Sequence, residues 1–191
     1  MGARVPVTRA EGPGARYALW LQGCSIRCPG CCNPHLFDPA GGERVAAGVL
    51  LAEMVAVRGE IEGITVLGGE PMDQPEGLLP VLRGARDLGL SVVVFSGFTL
   101  EELRARPDAA VRDVLATLDV LVDGRYDASR PEAERLWAGS TNQRFHYFTT
   151  RYSPEIERPA AGEPLRTVEV RLGPDGRVSA NGWPALTRTP L

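Results

Sequence analysis

Residues 23–33 read GCSIRCPGCCN, and this one segment holds Cys24, Cys28, Cys31 and Cys32, every cysteine of the 191-residue chain. Pro29, Gly30 and Pro34 mark it as a loop. The first residues, MGARVPVTRAEGPG, lack the apolar stretch of a secretion signal, and no apolar run reaches the roughly 18 residues of a spanning helix. A cytoplasmic protein is expected. Disulfides do not persist in that compartment, so thiols clustered this tightly point to metal ligation or redox chemistry. The net charge of −3 leaves no electrostatic footprint for nucleic acid or an anionic membrane, and neither is expected as a partner. With 43% hydrophobic and 24% charged residues, the chain has the make-up of an ordinary globular protein with a sizeable core.

Outward from the loop, the chain alternates. RYALWLQ (16–22) is apolar and aromatic, as a buried strand is. A helix is expected from about 46 to 58, with Val49, Ala52, Met54, Val55 and Ala56 on a buried face. ITVLGG (64–69) is a second strand, and Leu79, Leu82, Ala85 and Leu88 space a second helix. SVVVFSG (91–97) is continuously apolar, as a parallel strand covered on both faces should be. Thr99 and Glu102 form a capping-box pattern opening helical sequence to about 116, and DVLVDG (119–124) is a fourth strand. Such alternation predicts an α/β fold with a parallel sheet and right-handed crossovers. Chemistry in such sheets gathers at the carboxyl ends of the strands, and those ends read QGC, LGGEP, FSG and VDG. After about residue 150 the pattern changes. RYSPEIERPAAGEPLR (151–166) reads as a connection, and TVEVRLGPDGRVSANGW (167–183) as an appended β-hairpin turning at P-D-G.

Cys24, Cys28 and Cys31 form C-x3-C-x2-C, and thiolates bind soft metals and iron–sulfur clusters. Three thiolates on a [4Fe–4S] cube leave one iron open to another ligand. Cys32 allows other readings: a Cys28-x3-Cys32 pairing, or a fourth thiolate that closes the cluster and makes it an electron carrier. Zinc held by Cys24, Cys28, Cys31 and His35 is a further alternative, although structural zinc more often uses two short knuckles. No side-chain acid or base is singled out as catalytic, and His35 and His146 read as loop or surface residues.

These segments resemble a known family. C-x3-C-x2-C after a first strand is the cluster signature of the radical S-adenosylmethionine (SAM) enzymes. EGPGARYALWLQGC (11–24) is similar to the approach to the cluster in the glycyl-radical activating enzymes. CPGCCNPHLFDPAGG (28–42) resembles the anaerobic ribonucleotide reductase activating proteins, which carry a similar Cys-Pro-Gly-Cys and a later Asp-x-x-Gly-Gly. LGGEP (67–71), SGFTLEEL (96–103), DVLVDGRYD (119–127) and GSTNQR (139–144) follow in that family's order. The chain departs from it at Cys32, where those activators typically have Tyr, and in the extra hairpin.

The resemblance implies a partial (β/α) barrel over residues 1–150, with 151–191 as linker and hairpin extension of the same domain. It implies a [4Fe–4S] cluster on Cys24, Cys28 and Cys31 and SAM on the open iron. Gly68, Gly69 and Glu70 match the motif that binds the SAM amino group. Ser96 and Gly97 are expected near the ribose, and Asn33 and Asp123 are further SAM-contact candidates. The implied activity is that of a radical SAM oxidoreductase. One electron from a small flavodoxin- or ferredoxin-type protein would cleave SAM to methionine and a 5′-deoxyadenosyl radical, which takes hydrogen from a glycine of a partner glycyl-radical enzyme. The alternatives are radical modification of a peptide or small molecule, and a non-enzymatic electron-transfer module.

Overall fold

The computed structural model describes residues 1–173 and 175–183. Its centre is a six-stranded sheet with the strands in chain order. These are β1 (Ala3–Thr8), β2 (Arg16–Leu21), β3 (Gly63–Gly68), β4 (Ser91–Ser96), β5 (Val120–Asp123) and β6 (Arg144–Tyr147). Strands β2 to β5 run parallel, and β1 and β6 add antiparallel edges. The crossovers carry α1 (Ala47–Ala56), α2 (Pro75–Asp87) and the pair α3 (Leu100–Ala105) and α4 (Ala109–Thr117).

Side-chain alternation assigns the two faces. Register aligns Tyr17 with Ile64 and Val92, and Leu19 with Val66, Val94 and Leu121. Those residues share one core cluster with Leu50 and Met54 of α1, Leu82 and Ala85 of α2, Leu103 of α3 and Val114 of α4. All four helices therefore cover one face, as expected when crossovers of one hand join strands in unbroken order. Two smaller clusters lie on the other face, Ala18 and Trp20 with Leu36, and Val93, Val120 and Val122 with Tyr152 and Ile156. Near that face's amino end Arg16 is fully buried. Its guanidinium donates to Thr65 Oγ1, to Ser91 Oγ and to the Ile64 carbonyl, so the charge is spread over oxygen dipoles and not left bare.

The expected strands and helices appear in the expected order, but the buried face of α1 is Leu50 and Met54, while Val49, Ala52, Val55 and Ala56, expected on it, are exposed. The sheet is also mixed, because β1 and β6, not expected from the sequence, pair antiparallel at its edges. The helical stretch 99–116 holds more than one helix, as expected, and the break falls where Pro107 disfavours helical backbone at Arg106. The capping box at Thr99 forms as expected: Glu102 N donates to Thr99 Oγ1 at 3.2 Å and Thr99 N to Glu102 Oε2 at 2.8 Å.

The hairpin is also present, as β7 (Val168–Leu172) and β8 (Val178–Gly182), antiparallel and separate from the main sheet. Pro174 of its expected P-D-G turn, and residues 184–191 of the expected extension, lie outside the described residues. The hairpin is held to the N-terminal segment by polar contacts. Asn181 Nδ2 donates to Thr8 Oγ1 at 2.9 Å and Glu11 Oε1 at 3.0 Å, and Arg9 N donates to Glu169 Oε1 at 2.7 Å. Among the described residues no helix is long and apolar enough to cross a membrane.

Candidate cluster and cofactor site

The cysteine loop leaves the carboxyl end of β2, and its neck is closed by hydrogen bonds. Gly23 N donates to Leu36 O at 2.9 Å and Cys24 N to Phe37 O at 3.2 Å. The buried Gln22 amide donates to His35 O at 3.1 Å and Asp38 O at 2.7 Å. Residues 24–34 therefore form a compact loop with adjacent ends, a geometry well suited to presenting several side chains.

All four cysteines are partly buried. Backbone donors face the sulfurs of Cys24 and Cys31. Arg27 N donates to Cys24 Sγ at 3.5 Å and Asn33 N to Cys31 Sγ at 3.4 Å. The Tyr126 backbone lies beside the Cys28 thiol. Burial pushes the Cys28 thiol up, the Tyr126 backbone opposes this, and the nearby Cys31 and Cys24 thiols push it up further. The three thiols of C-x3-C-x2-C are thus near enough to repel one another when ionised, and a bound cation relieves that repulsion. Among the described residues no group of three His, Cys, Asp or Glu side chains could hold a single metal ion. An iron–sulfur cube does not require that convergence, because each thiolate takes a separate corner; the donor set fits such a cluster.

The loop's backbone is shaped for this. Arg27 has φ 52 and Gly30 φ 74, both in the left-handed region. A Cβ on Gly30 would lie 3.3 Å from Ala128 Cβ, so the loop packs closely on the segment after β5. Between them is a cleft of about 470 Å³, lined by Ile26, Cys28 and Pro29 on one side and residues 125–129 on the other. A second cleft of about 490 Å³ lies between residues 131–135 and 154–158; no cysteine and no residue of the expected SAM motif lines it.

At the next strand end, Gly68 and Gly69 are required by a close approach to the backbone of β2. A Cβ on Gly69 would stand 2.1 Å from Gly23 O, and one on Gly68 2.6 Å from Leu21 N. The N–H groups of this turn are used in the same contact, Gly69 N to Leu21 O and Glu70 N to Gly23 O, both 2.8 Å. Glu70 is buried, and burial raises its carboxyl to about 7 against the opposing hydrogen bonds. Its Oε1 accepts from Met72 N at 2.9 Å and Ser96 Oγ at 2.8 Å, and its Oε2 from Gly97 N at 2.8 Å. The carboxylate therefore joins the ends of β3 and β4. Ile26 of the cysteine loop packs over Gly97, where a Cβ would meet its Cδ1 at 2.7 Å.

Cys24, Cys28, Cys31, Gly68, Gly69, Glu70, Ser96 and Gly97 thus occupy one rim of the sheet. Asn33 joins them through its backbone: its N–H reaches Cys31 Sγ, and its side chain makes no cap to the short 3-10 turn it precedes. Asp123 sits at the same rim, but it is fully buried and its oxygens are engaged by protein. Asp123 Oδ2 accepts from Leu100 N at 2.5 Å and Arg144 Nη2 at 3.0 Å and lies 2.8 Å from His146 Nε2, while Oδ1 takes Arg144 Nε at 3.2 Å. His146 is therefore a strand residue facing a carboxylate, not the loop or surface residue expected. His35 is exposed. Sequence reading missed Gln22, Asp73, Gln74 and Tyr126, whose partners lie far along the chain. Ser25 N and Oγ donate to Asp73 Oδ2 and Oδ1 at 2.7 and 2.8 Å, and Gln74 Nε2 donates to Gln22 O at 2.9 Å.

Comparison with known proteins gives a family for this region. Residues 10–146 match the family described as "4Fe-4S single cluster domain". The anaerobic ribonucleoside-triphosphate reductase-activating protein of Pasteurella multocida is 31% identical over 153 residues, covering 75% of this chain and 94% of that protein. Its counterpart from Vibrio cholerae is 30% identical, covering 75% and 95%, and that of Escherichia coli K12 29%, covering 74% and 94%. The matched region takes in the cysteine loop and the strand-end turns and stops before the hairpin. With that match laid over a rim of clustered thiols, the chain belongs to the 4Fe-4S single cluster domain family, in its branch of radical SAM activating enzymes whose cofactors are a [4Fe-4S] cluster and SAM.

Proposed function

We propose that this protein activates a partner glycyl-radical enzyme of the anaerobic ribonucleotide reductase type. When bound, the two cofactors supply one-electron cleavage of a carbon–sulfur bond, giving methionine and a 5′-deoxyadenosyl radical that takes hydrogen from a glycine. The observation that carries the reading is the rim itself, where Cys24, Cys28 and Cys31 share one compact loop, with backbone N–H groups on the Cys24 and Cys31 sulfurs, beside the Gly68–Glu70 turn.

In this reading the three cysteines hold three irons. The N–H groups of Gly69 and Glu70 are committed to β2 and the loop, so the turn offers carbonyls to the SAM ammonium. Glu70 already fills three of its roughly four acceptor sites, so it acts chiefly by fixing the rim at Ser96 and Gly97, with one site left for the ammonium. Ser96 and Gly97 then border the ribose, Asn33 acts through its backbone, and Asp123 is a structural support.

The parallel strands in unbroken order, with helices on one face only, support a partial (β/α) barrel over residues 1–150 and an extension over 151–191. A small flavodoxin- or ferredoxin-type protein is the electron donor in this reading, and the cytoplasm, where such thiols stay reduced, is its compartment.

Anaerobic reconstitution with iron, sulfide, reductant and SAM tests the proposal. The wild-type protein should form 5′-deoxyadenosine, and the Ala variants of Cys24, Cys28 or Cys31 should not. Product persisting in those variants would refute the assignment. A cluster whose paramagnetic resonance spectrum ignores SAM would mark an electron-transfer module instead.

A further inference from the structure

The first arm of the cysteine loop is tied to the turn after β3 at three points. Glu70 N donates to Gly23 O at 2.8 Å, and Gln74 Nε2 donates to Gln22 O at 2.9 Å. Both bonds act on residues that precede Cys24. The third acts on the residue that follows it: Ser25 N donates to Asp73 Oδ2 at 2.7 Å and Ser25 Oγ to Asp73 Oδ1 at 2.8 Å. Cys24 is therefore bracketed, with Gly23 and Ser25 both fastened to residues 70–74. That turn is continuous with Gly68 and Gly69, and the close approach of Gly69 to Gly23 O leaves it no room to slide.

We propose that Asp73 is a positioning residue that sets the distance between Cys24 and the Gly68–Glu70 turn. This rests on the function proposed above. There one cofactor must be gripped at both ends, by the open iron of a cluster that Cys24 anchors and by the acceptors of the turn. A grip at two points binds well only when their separation matches the ligand, and misplacement on the scale of an ångström is costly. Without Asp73, residues 70–74 hold Cys24 only through Gln22 and Gly23, and the second point of the grip drifts.

Two substitutions separate geometry from charge. Asp73→Ala removes both bonds to Ser25. Asp73→Asn keeps them, because its carbonyl accepts the Ser25 N–H and its amide donates to Ser25 Oγ, a hydroxyl able to accept. The first readout needs no cofactor. In the full-length apo chain, hydrogen–deuterium exchange of peptides covering residues 24–33 should speed up in Asp73→Ala and stay near wild type in Asp73→Asn. The second readout is the SAM-dependent change in the paramagnetic resonance spectrum of the reduced, reconstituted protein. Iron content should be unchanged in both variants, while SAM affinity falls about tenfold in Asp73→Ala and recovers in Asp73→Asn.

Wild-type exchange or wild-type SAM affinity in Asp73→Ala overturns the proposal. So does an Asn variant as impaired as the Ala variant, since charge and not placement would then be the cause. If Asp73→Ala fails to fold, Ser25→Ala carries the test by deleting the hydroxyl bond alone. Lower SAM affinity at full iron content supports positioning, and unchanged affinity overturns it. Failure of the wild-type protein to bind a four-iron cluster refutes the proposed function instead, and the exchange experiment still decides whether Asp73 clamps the loop.

Discussion

Glu70 and Ser96, at the carboxyl ends of neighbouring strands, are joined by a 2.8 Å hydrogen bond from the Ser96 hydroxyl to an oxygen of the buried Glu70 carboxylate. A buried acid in that position reports on pH. Burial raises Glu70 to about 7, above the ordinary carboxylate value, so the folded chain holds a proton that the unfolded chain releases. The sign follows from linkage. The contribution of Glu70 to stability is complete below its unfolded value and is lost as pH rises through about 7. Between pH 5 and pH 8, the apo protein should therefore lose stability relative to Glu70→Gln, by an amount on the order of a few kcal/mol. Urea denaturation of both proteins at the two pH values measures it; parallel pH dependences would contradict the burial argument.

Gly69 and Gly77 provide a matched pair of substitutions. Gly69→Ala drives a Cβ into Gly23 O, backbone against backbone, and should cost about 2–4 kcal/mol and displace the neck of the cysteine loop. Gly77 lies in α2, and a Cβ added there would meet nothing within 4 Å, so Gly77→Ala should stabilise the protein by about 0.5–1 kcal/mol. Thermal denaturation of the two variants tests the contrast, and equal effects would refute it.

Asp123 supports three groups at once: the first N–H of α3, Arg144 and His146. Removing a buried carboxylate from such a set strands its partners, so Asp123→Ala should destabilise the apo protein by about 3–5 kcal/mol. Chemical denaturation without cofactors measures that loss. Unchanged stability with lower SAM affinity would instead make Asp123 a cofactor contact.

How much of the fold and site is legible in the sequence depends on the range of each interaction. RYALWL, ITVL, SVVVFS and VLVD are apolar runs between helical segments, and local pattern suffices to place the four parallel strands. β1 carries Arg4 and Pro6 and is mostly half-buried, and β6 is only four residues long and half-buried, so neither has a pattern of its own. The cysteine spacing and the glycine turn are readable because they are contiguous. The reason for the glycines is not readable, because what they must clear is the distant backbone of Leu21 and Gly23. Asp73 with Ser25 lies 48 positions apart, and Asp123 with Leu100 lies 23 apart. No period or motif links such pairs; only the fold brings them together. Asn33 is a candidate contact by its place in the loop, and the structure uses its N–H, a group every residue but proline possesses.

The proposed chemistry depends on Cys24, Cys28 and Cys31, without Cys32, holding a cube with one iron left for SAM. The direct measurement is iron content and the SAM-induced change in the paramagnetic resonance spectrum of reduced, reconstituted Cys32→Ala and Cys31→Ala. Four irons and a SAM-dependent spectrum are predicted for Cys32→Ala, and loss of both for Cys31→Ala. A Cys32→Ala protein without its cluster, or a Cys31→Ala protein that keeps a SAM-responsive one, would contradict the assignment.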